Sequence, residues 1–238
     1  AGTDSGAVYV FTRNGLNWTQ QAKLLAGDAA ARDGFGYSVA LDGDTLVVGA
    51  PLHDGTAADG GAVYVFTRTG STWSQQAELE ASAAGTSDDF GLAVAVHGDT
   101  VVVGAPGRSD AGLSSGAAYV FTRASATWVQ SAVLEAPAEA AGDFFGFAVA
   151  VTGDAVLVGA PNADGHGADS GAAYLYAGDG GGPAVEVTAP DAAAGAHFGS
   201  AVALDGSSAV VGAYTDGAGG AQYGAAYVYS RHAGGSQF

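Results

Sequence analysis

The side chains of this chain that could do chemistry are almost all carboxylates. The 238-residue sequence carries 24 acidic and 7 basic residues, no cysteine and only one lysine, Lys23. Thiolate nucleophiles and thiolate metal sites are therefore excluded, and nucleophilic catalysis has few candidates. The five histidines show no His-x3-His or His-Glu-x-x-His spacing, which argues against a zinc site.

Four aspartates at matched positions are the candidate metal ligands. Asp54 and Asp59 precede Asp164 and Asp169 by 110 residues, and both pairs lie in glycine- and alanine-rich segments. Carboxylates beside main-chain carbonyls are ligands that Ca²⁺ accepts, so calcium is the cofactor these residues suggest. Aspartate before glycine can also cap a turn through its own side chain. The sequence leaves both interpretations open.

The charge and the apolar runs limit the partners. A formal net charge of −17 repels nucleic-acid phosphates and anionic lipid, and it favours cations or basic partners. No apolar run approaches the roughly 20 residues of a membrane helix, so direct membrane insertion is not expected. The first residue is not methionine and no leader segment follows it, which predicts a processed or excised product.

A sequence repeat of about 55 residues predicts the secondary structure that positions these acids. Its Phe-Gly pairs are spaced 55, 55 and 53 residues apart and begin at Phe35, Phe90, Phe145 and Phe198. Three further motifs recur with the same period. Gly-Ala-Pro or Gly-Ala-Tyr begins at Gly49, Gly104, Gly159 and Gly212. Tyrosine recurs at Tyr9, Tyr64, Tyr119, Tyr174 and Tyr227, and tryptophan recurs at Trp18, Trp73 and Trp128. A fixed period of this size means one supersecondary unit copied several times.

One repeat contains four strand patterns. Residues 35–41 alternate, which would place Phe35, Tyr37, Val39 and Leu41 on one face. Residues 45–49 are continuously apolar, residues 62–67 are aromatic and β-branched, and residues 73–79 alternate like a half-exposed edge strand. The prediction is an all-β fold, a β-propeller of tandem four-stranded antiparallel blades with about 55 residues per repeat. A β-solenoid is the alternative, although its rungs are usually shorter.

The Phe-Gly and Gly-Ala-Pro signatures resemble the FG-GAP repeat, which builds the β-propeller of integrin α chains and of many secreted bacterial and archaeal proteins. The segment Phe35–Pro51 is most similar to the bacterial and archaeal subtype. Integrin-type units carry a calcium loop between their first two strands, whereas this chain has only the short turn Asp42-Gly43-Asp44 there. A tight turn with two carboxylates cannot supply the six to eight ligands of Ca²⁺, so those sites are not carried over.

The resemblance covers the whole chain, interpreted as one β-propeller domain or a segment of one. Residues 1–34 form a partial blade, residues 35–89, 90–144 and 145–197 are full repeats, and residues 198–238 are a last repeat without an obvious fourth strand. Up to seventeen strands result. Two possibilities stay open: the chain is a segment of a larger ring, or it closes as a small ring of four to five blades with an unusual seam. In the small ring, Trp18–Leu24 could supply the missing outer strand of the last blade.

The expected function is binding without catalysis, at the cell surface or after secretion. The resemblance implies a module for adhesion, ligand binding or assembly, whose partner is a protein or glycan ligand, or another copy of the chain. Tyr214 and Tyr223 are the candidate ligand contacts in the loops, because they fall outside the repeat register. The alternatives are a structural subunit of a surface layer or filament and, on the strength of the many carboxylates, a hydrolase domain.

Overall fold

Every described element of the protein is a β-strand or a turn. The computed structural model describes residues 2–215 and 223–230, and these residues contain seventeen strands, as the sequence predicts. They pair as five antiparallel sheets in chain order. No helix in the described part of the chain is long and apolar enough to cross a membrane.

The three central sheets have four strands each, and the two terminal sheets have fewer. The N-terminal pair is β1 (Val8–Asn14) and β2 (Asn17–Leu24). The first sheet is β3 (Ser38–Asp42), β4 (Thr45–Ala50), β5 (Ala62–Thr69) and β6 (Thr72–Leu79). The second is β7 (Ala93–His97), β8 (Thr100–Ala105), β9 (Ala117–Ala124) and β10 (Thr127–Leu134). The third is β11 (Ala148–Val151), β12 (Ala155–Ala160), β13 (Ala172–Ala177) and β14 (Val185–Val187). The C-terminal sheet is β15 (Phe198–Asp205), β16 (Ser208–Ala213) and β17 (Ala225–Ser230).

In the part of the chain that the structure describes, the segment Trp18–Leu24 does not join the last sheet. The segment Trp18–Leu24 was one candidate for the outer strand of the last repeat, but it lies in β2 and pairs with β1. Among the described residues, the C-terminal sheet ends at β17. Gly15 adopts a φ of 62° and turns β1 directly into β2, so these two strands form a hairpin.

In the three full repeats the Phe-Gly pair lies before the first strand rather than inside it, whereas the pair of the last repeat begins β15. The prediction that Phe35 and Tyr37 share one strand face is wrong: β3 begins at Ser38, Phe35 is buried, and Tyr37 is exposed. Gly36 has a φ of 93°, which breaks the alternation and turns the phenylalanine inward. The Phe35 ring then packs edge-on against Tyr64 at 5.4 Å.

The sheets stack through two different faces, which we call the aromatic and the aliphatic face. In the first sheet the aromatic face carries Tyr64, Phe66 and Trp73 and packs against the N-terminal pair. The aliphatic face carries Val63 and Val65 and packs against the aromatic face of the second sheet. The other two interfaces repeat this arrangement. Each interface therefore joins the aliphatic face of one sheet to the aromatic face of the next.

The glycines of the two motifs allow the main chains of consecutive sheets to approach closely. A Cβ added to Gly104 would lie 1.9 Å from the carbonyl oxygen of Gly146, the glycine of the next Phe-Gly pair. The equivalent distances are 2.0 Å for Gly49 and 1.9 Å for Gly159. No side chain fits at such a distance, so glycine is needed because a neighbouring main chain approaches closely.

The terminal sheets leave one face of each kind uncovered by described residues. At the N-terminal end, the aromatic face of β1 and β2 exposes Tyr9, Phe11 and Trp18. At the C-terminal end, the aliphatic face exposes Val210 and Val228, the latter at 71%. Both faces have the composition of the buried interfaces, so both have the chemistry to accept a further sheet.

Candidate functional site

The loops that follow Gly-Ala-Pro lie at one end of the stack. The strands of each unit are antiparallel, so the loop between its second and third strands and the linker to the next unit are at the same end. Main-chain bonds join them: Ser87 N donates to Ala58 O at 3.0 Å, and Gly142 N donates to Leu113 O at 2.9 Å. This end, which we call the loop end, is therefore a continuous surface.

The predicted acidic pairs are held inside these loops. Asp54 Oδ1 accepts a hydrogen bond from the main-chain N–H of Asp59 at 2.9 Å, and Asp164 does the same for Asp169 at 2.8 Å. In the second unit, Ser109 Oγ accepts the equivalent bond at 3.0 Å. These bonds cap the loops, as the turn interpretation predicts. Calcium binding by the four aspartates stays a prediction.

The two predicted tyrosines lie on the last of these loops. Tyr214 is exposed and stacks on the imidazole of His197, with ring centroids 4.9 Å apart and nearly parallel planes. Tyr223 is also exposed. Residues 216–222 of this predicted ligand loop lie outside the described residues. Both tyrosines offer a ring face or edge to a partner at the loop end.

A polar cluster that the sequence did not predict lies between the N-terminal pair and the first sheet. Its centre is His53, which is only 8% exposed. Nε2 of His53 lies 3.8 Å from Asp28 Oδ2 and 3.6 Å from Glu78 Oε1, while Nδ1 lies 3.4 Å from Asp33 Oδ2. Tyr64 Oη donates a hydrogen bond to Asp28 Oδ1 at 2.9 Å. Three carboxylates thus surround one imidazole.

Burial and nearby carboxylates raise the pKa values of two groups in this cluster, Glu78 and Tyr64. Partial burial, and next the charge of Asp28, raise the pKa of Glu78, although His53 opposes the shift. Burial and the hydrogen bond to Asp28 raise the pKa of Tyr64. Burial is the main cause of both shifts, because it disfavours the charged forms of Glu78 and Tyr64.

The missed cluster has no local motif, because its members come from three separate segments. Asp28 follows β2, His53 lies in the loop after β4, and Glu78 is on β6, at intervals of 25 residues. The one available signal was a comparison between repeats. The positions 55 residues later hold Ala83, Arg108 and Val133. Ligand-type residues therefore occur together at these three positions in the first repeat and not in the second.

Comparison with protein families identifies the repeat. The profile of the FG-GAP repeat matches four times, at residues 18–66, 73–121, 128–176 and 184–229. Each match begins at the last strand of one sheet and ends in the third strand of the next, so it spans a sheet interface. A search of curated proteins finds no match. Because the four matches cover most of the sequence, the chain belongs to the FG-GAP repeat family.

Proposed function

We propose that this chain is a β-propeller, or a segment of one, that binds a partner at its loop end without catalysing a reaction. The repeated four-stranded sheets and the FG-GAP family support a propeller of the integrin kind. FG-GAP proteins are typically extracellular or at the cell surface and generally not enzymes, which supports a secreted or surface-bound module. Adhesion is the role that this combination favours.

The observation that carries the proposal is the composition of the loop end. Its rim holds the exposed residues Asp54, Asp59 and Asp164 and the half-buried Asp169. Between them project apolar groups, of which Leu113 is 78% exposed. Apolar anchors within an acidic rim suit a partner that presents basic side chains, with charge setting the association rate. The same four aspartates could also bind Ca²⁺, and the ion would then bridge to an acidic partner or a glycan.

Charge removal at the loop end should weaken binding of a basic partner. We expect the chain to bind an immobilised lysine-rich peptide, and Asp59→Asn/Asp169→Asn to reduce the affinity about threefold to tenfold. Asparagine tolerates the positive φ of both positions, so the loops should keep their shape. Surface plasmon resonance at two salt concentrations, in EDTA and in millimolar Ca²⁺, measures the effect and separates direct from calcium-bridged contact.

The matched control removes two charges from the opposite end. Asp179→Asn/Asp205→Asn alters the turns between β13 and β14 and between β15 and β16, and it should leave peptide binding unchanged. An equal loss of affinity in both double variants would show that net charge alone attracts the peptide, and the loop-end proposal would then be wrong.

The uncovered end faces favour a second candidate function, assembly of copies end to end. Every internal interface joins an aromatic face to an aliphatic face. The exposed aromatic face of β1 and β2 could therefore pack against the exposed aliphatic face of β15–β17 in a second copy of this chain. The contact joins different surfaces of the two copies, so it would produce rings or filaments rather than an isolated two-fold dimer.

A charge placed on the aliphatic face should abolish this assembly. We expect Val228→Asp to remain monomeric at protein concentrations where the parent chain associates, because the interface cannot bury an unpaired carboxylate. Sedimentation velocity across a hundredfold concentration range measures the difference. A monomeric parent chain across the whole range would contradict end-to-end assembly.

A further inference from the structure

We propose that Asp28, His53 and Glu78 bind one divalent transition-metal ion of the zinc class, between the N-terminal pair and the first sheet. Among the described residues these three form the only group of at least three potential ligands whose donor atoms lie close enough, all within 4.8 Å of one another. The site is independent of the loop-end proposal, since neither its ligands nor its position depend on a partner.

The distances between the donor atoms suit a small ion. Bonds of about 2.0–2.1 Å to a tetrahedral zinc ion place neighbouring donors about 3.3 Å apart. Nε2 of His53 is 3.6 Å from Glu78 Oε1 and 3.8 Å from Asp28 Oδ2, too far for hydrogen bonds and slightly wider than a filled zinc site. A small inward movement of two partly exposed carboxylates would complete three bonds, and a water molecule can supply the fourth.

The histidine is buried with a nitrogen that no described group satisfies. Nδ1 of His53 has no hydrogen-bond partner in the described part of the chain, although Asp33 Oδ2 lies 3.4 Å away. A metal bound to Nε2 requires the proton of the imidazole to be on Nδ1, and the Nδ1–H group can then donate a hydrogen bond to Asp33. Carboxylates that orient the second nitrogen of a metal-bound imidazole are a regular feature of histidine sites. Tyr64 orients Asp28 in the same way through its hydrogen bond to Oδ1.

The second repeat shows that this position accommodates a cation. Arg108 occupies the place of His53 in the next interface, where its side chain is 11% exposed. Its guanidinium contacts Asp110 and lies 3.3 Å from Glu135. Around the neutral imidazole that metal binding requires, the three carboxylates of the first site carry a formal charge of −3. A bound dication would reduce this charge to −1, which is also the formal charge of Arg108 with Asp110 and Glu135.

The ligand set selects the class of ion. Ca²⁺ and Mg²⁺ prefer oxygen ligands, and Ca²⁺ takes six to eight of them, more than this site offers. An imidazole nitrogen combined with carboxylates suits Zn²⁺ and its first-row neighbours. In the described part of the chain, the aspartates of the loop end belong to no such group with a histidine, so calcium remains the ion proposed for them.

The test is a titration of the metal-stripped, full-length chain with Zn²⁺ by calorimetry, and with Co²⁺ by visible absorption. We expect one equivalent of Zn²⁺ to bind, four-coordinate Co²⁺ bands to appear, and a raised melting temperature with Zn²⁺ but not with Ca²⁺. His53→Ala and Glu78→Gln should each weaken binding at least tenfold. Asp33→Asn should weaken it by at most about tenfold, because all three ligands remain and only the carboxylate beside Nδ1 changes.

Two features of the chain keep this test decisive. The third repeat carries Ala163, also buried, at the position of His53, so His53→Ala places a residue that the repeat already tolerates. Glu78→Gln keeps the size and shape of a partly exposed side chain, so this variant should fold. His97→Ala, which removes an exposed histidine, should bind Zn²⁺ within twofold of the parent. No Zn²⁺ binding by the parent chain, or binding that survives in both ligand variants, overturns the proposal.

Discussion

Replacing Gly104 with alanine is expected to lower the free energy of unfolding by about 3 kcal/mol. The new methyl group would lie 1.9 Å from the carbonyl oxygen of Gly146, and this oxygen belongs to main chain that cannot rotate away like a side chain. Gly146 is itself held by the hydrogen bond from its N–H to Gly159 O at 3.0 Å. The second and third sheets must therefore separate locally. Urea unfolding followed by circular dichroism measures the change through the midpoint at constant slope.

Gly212→Ala is the matched control, because Gly212 holds the same motif position in the last repeat. A Cβ there would meet nothing closer than Ala201 Cβ at 3.4 Å, since no described sheet follows. The expected change is about 0.5 kcal/mol or less. Equal losses in the two variants would mean that the motif glycine is needed within its own strand, and the explanation by contact between sheets would be wrong.

The repeat pattern was enough to predict the strands but not the surroundings of each sheet. Residues 45–49 and residues 208–212 have the same apolar pattern, and both form the second strand of a unit. β4 is buried along its whole length, whereas Val210 in β16 is exposed. The difference depends on whether another sheet follows. A single repeat does not encode that fact, so burial at the ends could not be predicted from the sequence.

The loop end was predicted more fully than the cluster at His53, for a physical reason. The loop aspartates recur with the period of the fold, so their spacing placed them at one end of the sheets. The ligands Asp28 and Glu78 meet His53 only because two sheets pack together at this point. Their sequence separations match no helix or hairpin, so neither local pattern could reveal them. Differences between repeats were the signal, and they become interpretable only when the interface is known.

Replacing Trp128 with alanine is expected to lower the free energy of unfolding by about 3–4 kcal/mol. The side chain is 8% exposed and lies in the interface between the first and second sheets. Its indole N–H donates to Gln76 Oε1 at 3.0 Å, and the guanidinium of Arg123 stacks over the ring at 5.0 Å. The substitution leaves a cavity and removes both polar contacts. Circular dichroism is the right readout, since the change removes one of only three tryptophans.

Trp18→Ala separates the cost of the interface from the cost of the residue type. Trp18 holds the same repeat position in β2, but it is 65% exposed because no described sheet covers the aromatic face of the N-terminal pair. The expected loss is about 1 kcal/mol or less when the protein is dilute and monomeric. If the loss instead matches that of Trp128→Ala and grows with protein concentration, this face is covered in solution by a second copy. A full loss that is independent of concentration would contradict the exposed position of Trp18.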